Sequence, residues 1–151
     1  MTSAPELLET SQCLCLASRR AARAITRRFD RALKASGLRA TQFTLLATLA
    51  LKGPQPIGRL ADFIGVERTT LTRNLAVAEK DGLVSTRAGK DARSHIASIT
   101  AHGRRTLEKA FAAWRETQDD LTQTIGNVAA DRLRRLAREP VVRNASLENM
   151  R

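Results

Sequence analysis

Apolar residues recur at helical spacing through most of the chain, and the interruptions mark where one element gives way to the next. Leu7, Leu14, Ala21, Ile25, Phe29 and Ala32 form a seam that predicts one long helix over 6–35, with Pro5 suited to its first turn and Gly37 stopping it. A second helix is expected over 42–51, capped by Thr41. Its TLLATLAL segment is apolar nearly all round and so belongs in the interior. Gly53-Pro54-Gln55-Pro56 reads as a loop. Further on, Thr100 is placed to cap a long helix reaching Ile125, with Leu107, Phe111, Trp114, Leu121 and Ile125 in a heptad-like seam and Gln118 in its polar slot. Gly126-Asn127 breaks that helix. A last one over 128–138 turns Leu133 and Leu136 inward, and Pro140 ends it. The tail, 141–151, has too little apolar content to order alone, although it could dock on a partner.

The middle of the chain, 57–93, departs from long helices. Ile57, Leu60, Ala61 and Ile64 share one face of a short helix, and Gly65-Val66 supplies a turn. A second helix, 68–80, has Leu71, Leu75 and Ala78 as its apolar stripe and carries Arg68, Thr69, Thr70, Thr72, Arg73 and Asn74 beside it. It ends at Asp81-Gly82. A strand over 83–87, a turn at Ala88-Gly89-Lys90-Asp91 and an alternating strand over 94–100 complete a hairpin. Helix, tight turn, helix and basic hairpin are the outline of a winged helix-turn-helix. A helix with a thin apolar back and a front of Arg, Thr and Asn suits the major groove. Arg forks onto guanine, Asn bridges adenine, and Thr bonds phosphate or touches a thymine methyl. The plain alternative is an amphipathic helix pair with a solvated polar face, but the whole succession is less common than its parts.

Composition narrows the partners. A chain of 151 residues with 42% apolar content supports one domain, or one module within a helical frame, and with 3% aromatics its core rests on Leu, Ala, Ile and Val. The formal net charge of +11 implies a polyanionic partner, nucleic acid first and an anionic membrane second. Arg greatly outnumbers Lys, which favours forked contacts, although Arg-rich composition also arises from the genome alone. No apolar run approaches the roughly 18 residues of a transmembrane helix, and the N-terminus lacks the basic-then-apolar order of a secretory signal. Cys13 and Cys15 do not make a disulfide framework, so reduced thiols and a cytoplasmic location are expected.

Three segments together resemble MarR-type transcriptional regulators: GLRATQFTLLATL at 37–49, the helix pair at 57–83, and the wing with Asp91-Ala92-Arg93 followed by SIT-x-x-G at 98–103. The resemblance covers nearly everything from 13 to 138. It implies a mainly α (α+β) fold, with a winged helix-turn-helix DNA-binding domain (37–100) inserted in a helical dimerisation domain. That domain is made of an N-terminal helix (1–36) and C-terminal helices (101–139), followed by the tail (140–151). It further implies a homodimeric repressor on a palindromic operator, released when a small molecule or oxidant changes the spacing of the lobes. Packing long helices of two copies together would bury the exposed seams and set two recognition helices about one DNA turn, roughly 34 Å, apart. A monomer whose long helices cover each other is the alternative.

By motif position, Arg68, Thr69, Thr70, Thr72, Arg73 and Asn74 lie nearest the DNA, and Arg93 enters the minor groove with Asp91 orienting it. A narrow minor groove attracts Arg in any case. Arg87, Lys90 and Arg59 are expected on phosphate. Cys15 falls where the peroxide-sensing branch of the family carries its reactive cysteine. This chain has no Tyr, and Phe29 stands where a tyrosine that bonds the thiol is expected, but Arg19 lies one turn after Cys15 and could stabilise a thiolate. On one helix, positions 13 and 15 point about 200° apart, unsuited to bridging each other. Arg19, Arg23 and Arg27 form an i, i+4 row, read as a solvated cationic face or as a receiver for the carboxylate of a small aromatic or acidic effector. His95 and His102 show no ligand spacing with either cysteine, so neither a metal nor another cofactor is expected. An enzyme is not expected either, because no nucleophile–base pair, carboxylate pair, phosphate loop or metal cluster is present. The remaining rival is a sequence-indifferent architectural protein that coats DNA through charge.

Overall fold

The computed structural model describes residues 3–89 and 95–139. Seven α-helices and a small three-stranded antiparallel sheet make up the described residues. The expected mainly helical fold with a winged helix-turn-helix is what forms.

The expected single N-terminal helix is two. Helix α1 (Ala4–Glu9) is followed by a 3₁₀ turn at Thr10–Gln12, and α2 (Leu14–Leu33) begins beyond Cys13. The cause is local. Thr10 and Ser11 donate their hydroxyls back to Leu7 O and Leu8 O at 2.7 Å each, competing with the backbone ladder, and Cys13 leaves the helical region with ψ 122°. Leu7 and Leu14 of the anticipated seam are exposed, while Ile25 and Phe29 are half-buried.

Helix α3 (Ala40–Lys52) starts before Thr41, so Thr41 is not its cap. Its first amide, Ala40 N–H, is satisfied by Asp30 Oδ1 of α2 at 2.8 Å, and Gln42 Oε1 accepts from Arg39 N–H at 3.0 Å. Leu45, Leu46 and Leu49 of α3 are buried as its composition demands, but Leu51, near its C-terminal end, is exposed. The segment expected to be a plain loop contributes β1 (Gln55–Pro56), a two-residue edge strand paired with β3 (His95–Ile99). An edge position tolerates a proline because one side of the strand has no ladder to feed. Strand β2 (Val84–Ala88) pairs with β3 on its other side, from Val84 opposite Ile99 to Ala88 opposite His95.

Thr100 caps α6 (Ala101–Ile125) as its position predicts, accepting from Gly103 N–H at 2.9 Å and donating to Gly82 O at 2.7 Å. Gly103 is required there: a Cβ at this position would lie 2.1 Å from Leu83 O. The final helix is α7 (Asn127–Leu136). Its buried residue is Ala130, whereas Leu133 and Leu136, expected inward, are 46% and 54% exposed. Between frame and centre, Phe43 of α3 stacks with Trp114 and Phe111 of α6 at centroid distances of 5.4 and 6.5 Å. Most of the few aromatics thus sit at one joint. Arg28 of α2 pairs with Asp120 of α6.

Candidate nucleic-acid interface

The site is built on α4 (Ile57–Ile64) and α5 (Arg68–Lys80). Ile57, Leu60 and Ala61 of α4 are buried against the core, and the chain then reverses at Gly65, which adopts φ 78°. A side chain at that φ would be strained, so glycine is what lets the turn close, with Gly65 N–H bonding Ala61 O at 2.8 Å. Leu71, Leu75 and Ala78 then anchor α5 from behind. Spaced i, i+4 and i+7, they fix the helix's rotation, and the opposite face has to look outward.

Thr69, Thr70, Thr72 and Arg73 are exposed on or beside that outward side, Arg68 is exposed as the first residue of the helix, three before Leu71, and Asn74 is half-buried at the edge of the apolar stripe. Thr72 donates its hydroxyl to Arg68 O at 2.8 Å, and its oxygen keeps the capacity to accept. Ala76 and Val77 share the exposed surface, and sequence reading passed them over because small or apolar residues on a helix are read first as core. A valine at 77, off the stripe of Leu71, Leu75 and Ala78 and between Arg73 and Lys80, is the signal the sequence offers.

The recognition helix is tied to its surroundings at its far end. Glu79 Oε1 accepts from both the amide and the hydroxyl of Thr86, at 2.8 and 2.9 Å, so the start of the wing and the helix are linked. Gln42 Nε2 donates to Asp81 Oδ2 at 3.2 Å, joining α3 to the end of α5. Arg59 on α4 and Arg87 on β2 are exposed, on either side of α5 in sequence. Lys90, Asp91 and Arg93 lie outside the described residues.

The expected effector and redox residues are not gathered into a cavity. Cys15, Arg19 and Arg23 are exposed on the first half of α2, as is Cys13 before it. Cys13 precedes the helix rather than lying within it, so the helical angle between positions 13 and 15 does not apply. A cavity of about 130 Å³ does open between α2, α6 and α7, but Ile25, Phe29, Leu121 and Leu133 line it instead. Among the described residues no three His, Cys, Asp or Glu side chains are grouped to hold a metal ion. No helix among them is long and apolar enough to cross a membrane.

Comparison with known proteins agrees with this geometry. The model of the MarR family matches residues 36–94. The structure of the M. tuberculosis transcriptional regulator MosR in complex with DNA is similar at 46% identity, covering 81% of this chain and 92% of that one, with a TM-score of 0.73. The transcriptional repressor CouR bound to p-coumaroyl-CoA is similar at 26% identity, covering 87% and 96% of the two chains, with a TM-score of 0.75. The HTH-type transcriptional regulator YwoH of Bacillus subtilis (strain 168) is 26% identical over 100 residues, 66% of this chain and 73% of that protein.

Proposed function

The chain belongs to the MarR family of winged helix-turn-helix transcriptional regulators, a DNA-binding regulator and not an enzyme, and from that premise we propose that it acts as a homodimeric repressor of a palindromic operator. The observation that carries this reading is the face of α5. Arg68, Thr69, Thr70, Thr72 and Arg73 are exposed together on a helix whose back is held by three buried side chains. Such a face offers base-edge chemistry rather than charge alone. Arg59 and Arg87 contact phosphate on either side, with Lys90. Arg93, oriented by Asp91, reaches the minor groove from the segment between β2 and β3. In this reading residues 37–100 form the DNA-binding domain, 1–36 and 101–139 the dimerising frame, and the protein works in the cytoplasm.

A competition assay tests the proposal. Unlabelled promoter DNA should displace labelled operator at far lower concentration than random DNA of equal length. Equal displacement by the two would establish an architectural, sequence-indifferent protein instead.

Release is assigned to a small aromatic or acidic effector whose carboxylate meets Arg19 and Arg23. The CouR relative, a repressor with p-coumaroyl-CoA bound, supports this class of signal. The exposure of Cys15 favours a second reading, in which oxidation of this thiol releases the DNA. Peroxide should then dissociate the native protein from its operator and leave Cys15→Ser bound. Equal release of both proteins eliminates the thiol reading.

A further inference from the structure

Val77 is an apolar side chain on a face of α5 that its own chain leaves open. It is 54% exposed on the third turn of the helix, off the stripe of Leu71, Leu75 and Ala78 that anchors α5 from behind. A β-branched residue forms helix less readily than alanine, and in this position it gains little burial in return. The described strands of the wing attach on the other flank. Glu79, which accepts from Thr86 at the start of the wing, follows Val77 by two residues, about 160° round the helix.

The neighbours of Val77 on the helix surface say what covers it. Arg73 lies one turn before it and Lys80 three residues after it, both exposed. Thr70, two turns before, places a second methyl-bearing side chain on the same flank. Between the two cations the other outward residue is Ala76, so no longer side chain stands there to hold a base edge away. Flanking cations select a polyanion, and the major groove of DNA offers one apolar group among its base edges, the C5 methyl of thymine. Valine has no side-chain donor or acceptor, so this methyl is the one base feature it can read.

We propose that Val77 is a specificity-determining residue of the DNA site, packing its methyl groups on the C5 methyl of one thymine in each half of the operator. This rests on the operator reading and names a base which that reading leaves open. Cβ atoms four residues apart on a helix stand roughly 6 Å apart, and successive bases of a strand rise about 3.4 Å. With α5 lying along the groove, Val77 therefore meets a base pair one or two steps from the one facing Arg73. The stiff χ1 of valine holds its methyl groups in place before binding, so little is lost in ordering them.

Exchange of thymine for deoxyuridine tests the contact, because it removes one methyl group and keeps every hydrogen-bonding atom. An operator selected from genomic fragments by the native full-length protein is resynthesised with each thymine exchanged in turn, at symmetric positions of the two halves. Affinity is then measured for the native protein and for Val77→Ala. Loss of one buried methyl group weakens binding about fourfold in each half, roughly 15-fold for both. The native protein should show that loss at one symmetric pair of thymines. Val77→Ala should bind the unmodified operator more weakly, be indifferent to the exchange at that pair, and be no less stable in urea, since alanine favours an exposed helix position. Equal penalties for native protein and Val77→Ala at every thymine, with operator still preferred to random DNA, overturn the Val77 contact and leave the operator reading standing. Equal affinity of the native protein for operator and random DNA overturns both.

Discussion

Gly103 and Gly58 are both helical glycines, yet an added methyl group meets opposite surroundings at the two. At Gly103 it would strike Leu83 O at 2.1 Å, a backbone atom that also accepts from Thr100 N–H at 3.1 Å and has no freedom to retreat. At Gly58, in the first turn of α4, nothing lies within 4 Å. Gly103→Ala is therefore expected to destabilise by about 2 kcal/mol or more in urea denaturation, as overpacking of a close contact does. Gly58→Ala should stabilise by about 0.5–1 kcal/mol, because it restricts the unfolded chain and suits a helix. Arg73 lies on the outward face of α5, away from the buried stripe, so its replacement leaves folding alone. As a base-reading side chain, Arg73→Ala should weaken operator binding by about 1–3 kcal/mol per half-site, roughly 5- to 150-fold for each, with unchanged folding stability in urea. A loss of unfolding free energy equal to the loss in binding would assign Arg73 a structural role instead.

Caps divide the elements into those legible from sequence and those that are not. The cap of α6 was legible because Thr100 precedes its own helix and serves Gly103 three residues on, all within one short window. The start of α3 was not, because its acceptor comes from Asp30, ten residues back on another helix. For the same reason the sequence of β1 reads as a loop: its partner Ala97 is remote in sequence, and only the folded sheet gives Gln55 and Pro56 a strand to pair with. The bounds and rotation of the recognition helix are legible, since Leu71, Leu75 and Ala78 fix both, although Ala76 and Val77 on its exposed surface are not. Two element-scale outcomes follow. Asp30→Ala should cost about 1 kcal/mol of stability, and Asp30→Asn, which keeps the acceptor, much less. In α1, the hydrogen bonds from the Ser3 backbone and side chain hold the Glu6 carboxyl below its ordinary value. Its folded form is favoured fully above the ordinary carboxylate range, and that preference is lost as pH falls through the lowered value. Protection of the Leu7 and Leu8 amides, measured against intrinsic exchange at each pH, should fall there, while amides of α5 stay protected.

At the scale of the whole molecule, net charge and shape answer different questions, and salt separates them. The charge of +11 attracts any polyanion, and the arginines on α2, α4, α5 and β2 are mostly exposed. For a dimer that neutralises about eight phosphates, log K should fall with log salt at a slope near −7. Arg87 and Arg73 make different contributions to that slope under the proposed contacts. Arg87→Ala removes one phosphate contact from each half of the dimer. Operator and random DNA should then weaken alike, with the slope shallower by about 2. Arg73→Ala should instead weaken operator binding more than random binding, narrowing the ratio between them. Measuring both variants on both DNAs across a salt series therefore distinguishes a reader of sequence from a coating of charge. If the two substitutions lower both affinities in parallel, the exposed face of α5 is only another part of the cationic surface. If the operator-to-random ratio collapses for Arg73→Ala alone, α5 reads bases and the surrounding arginines hold it in register.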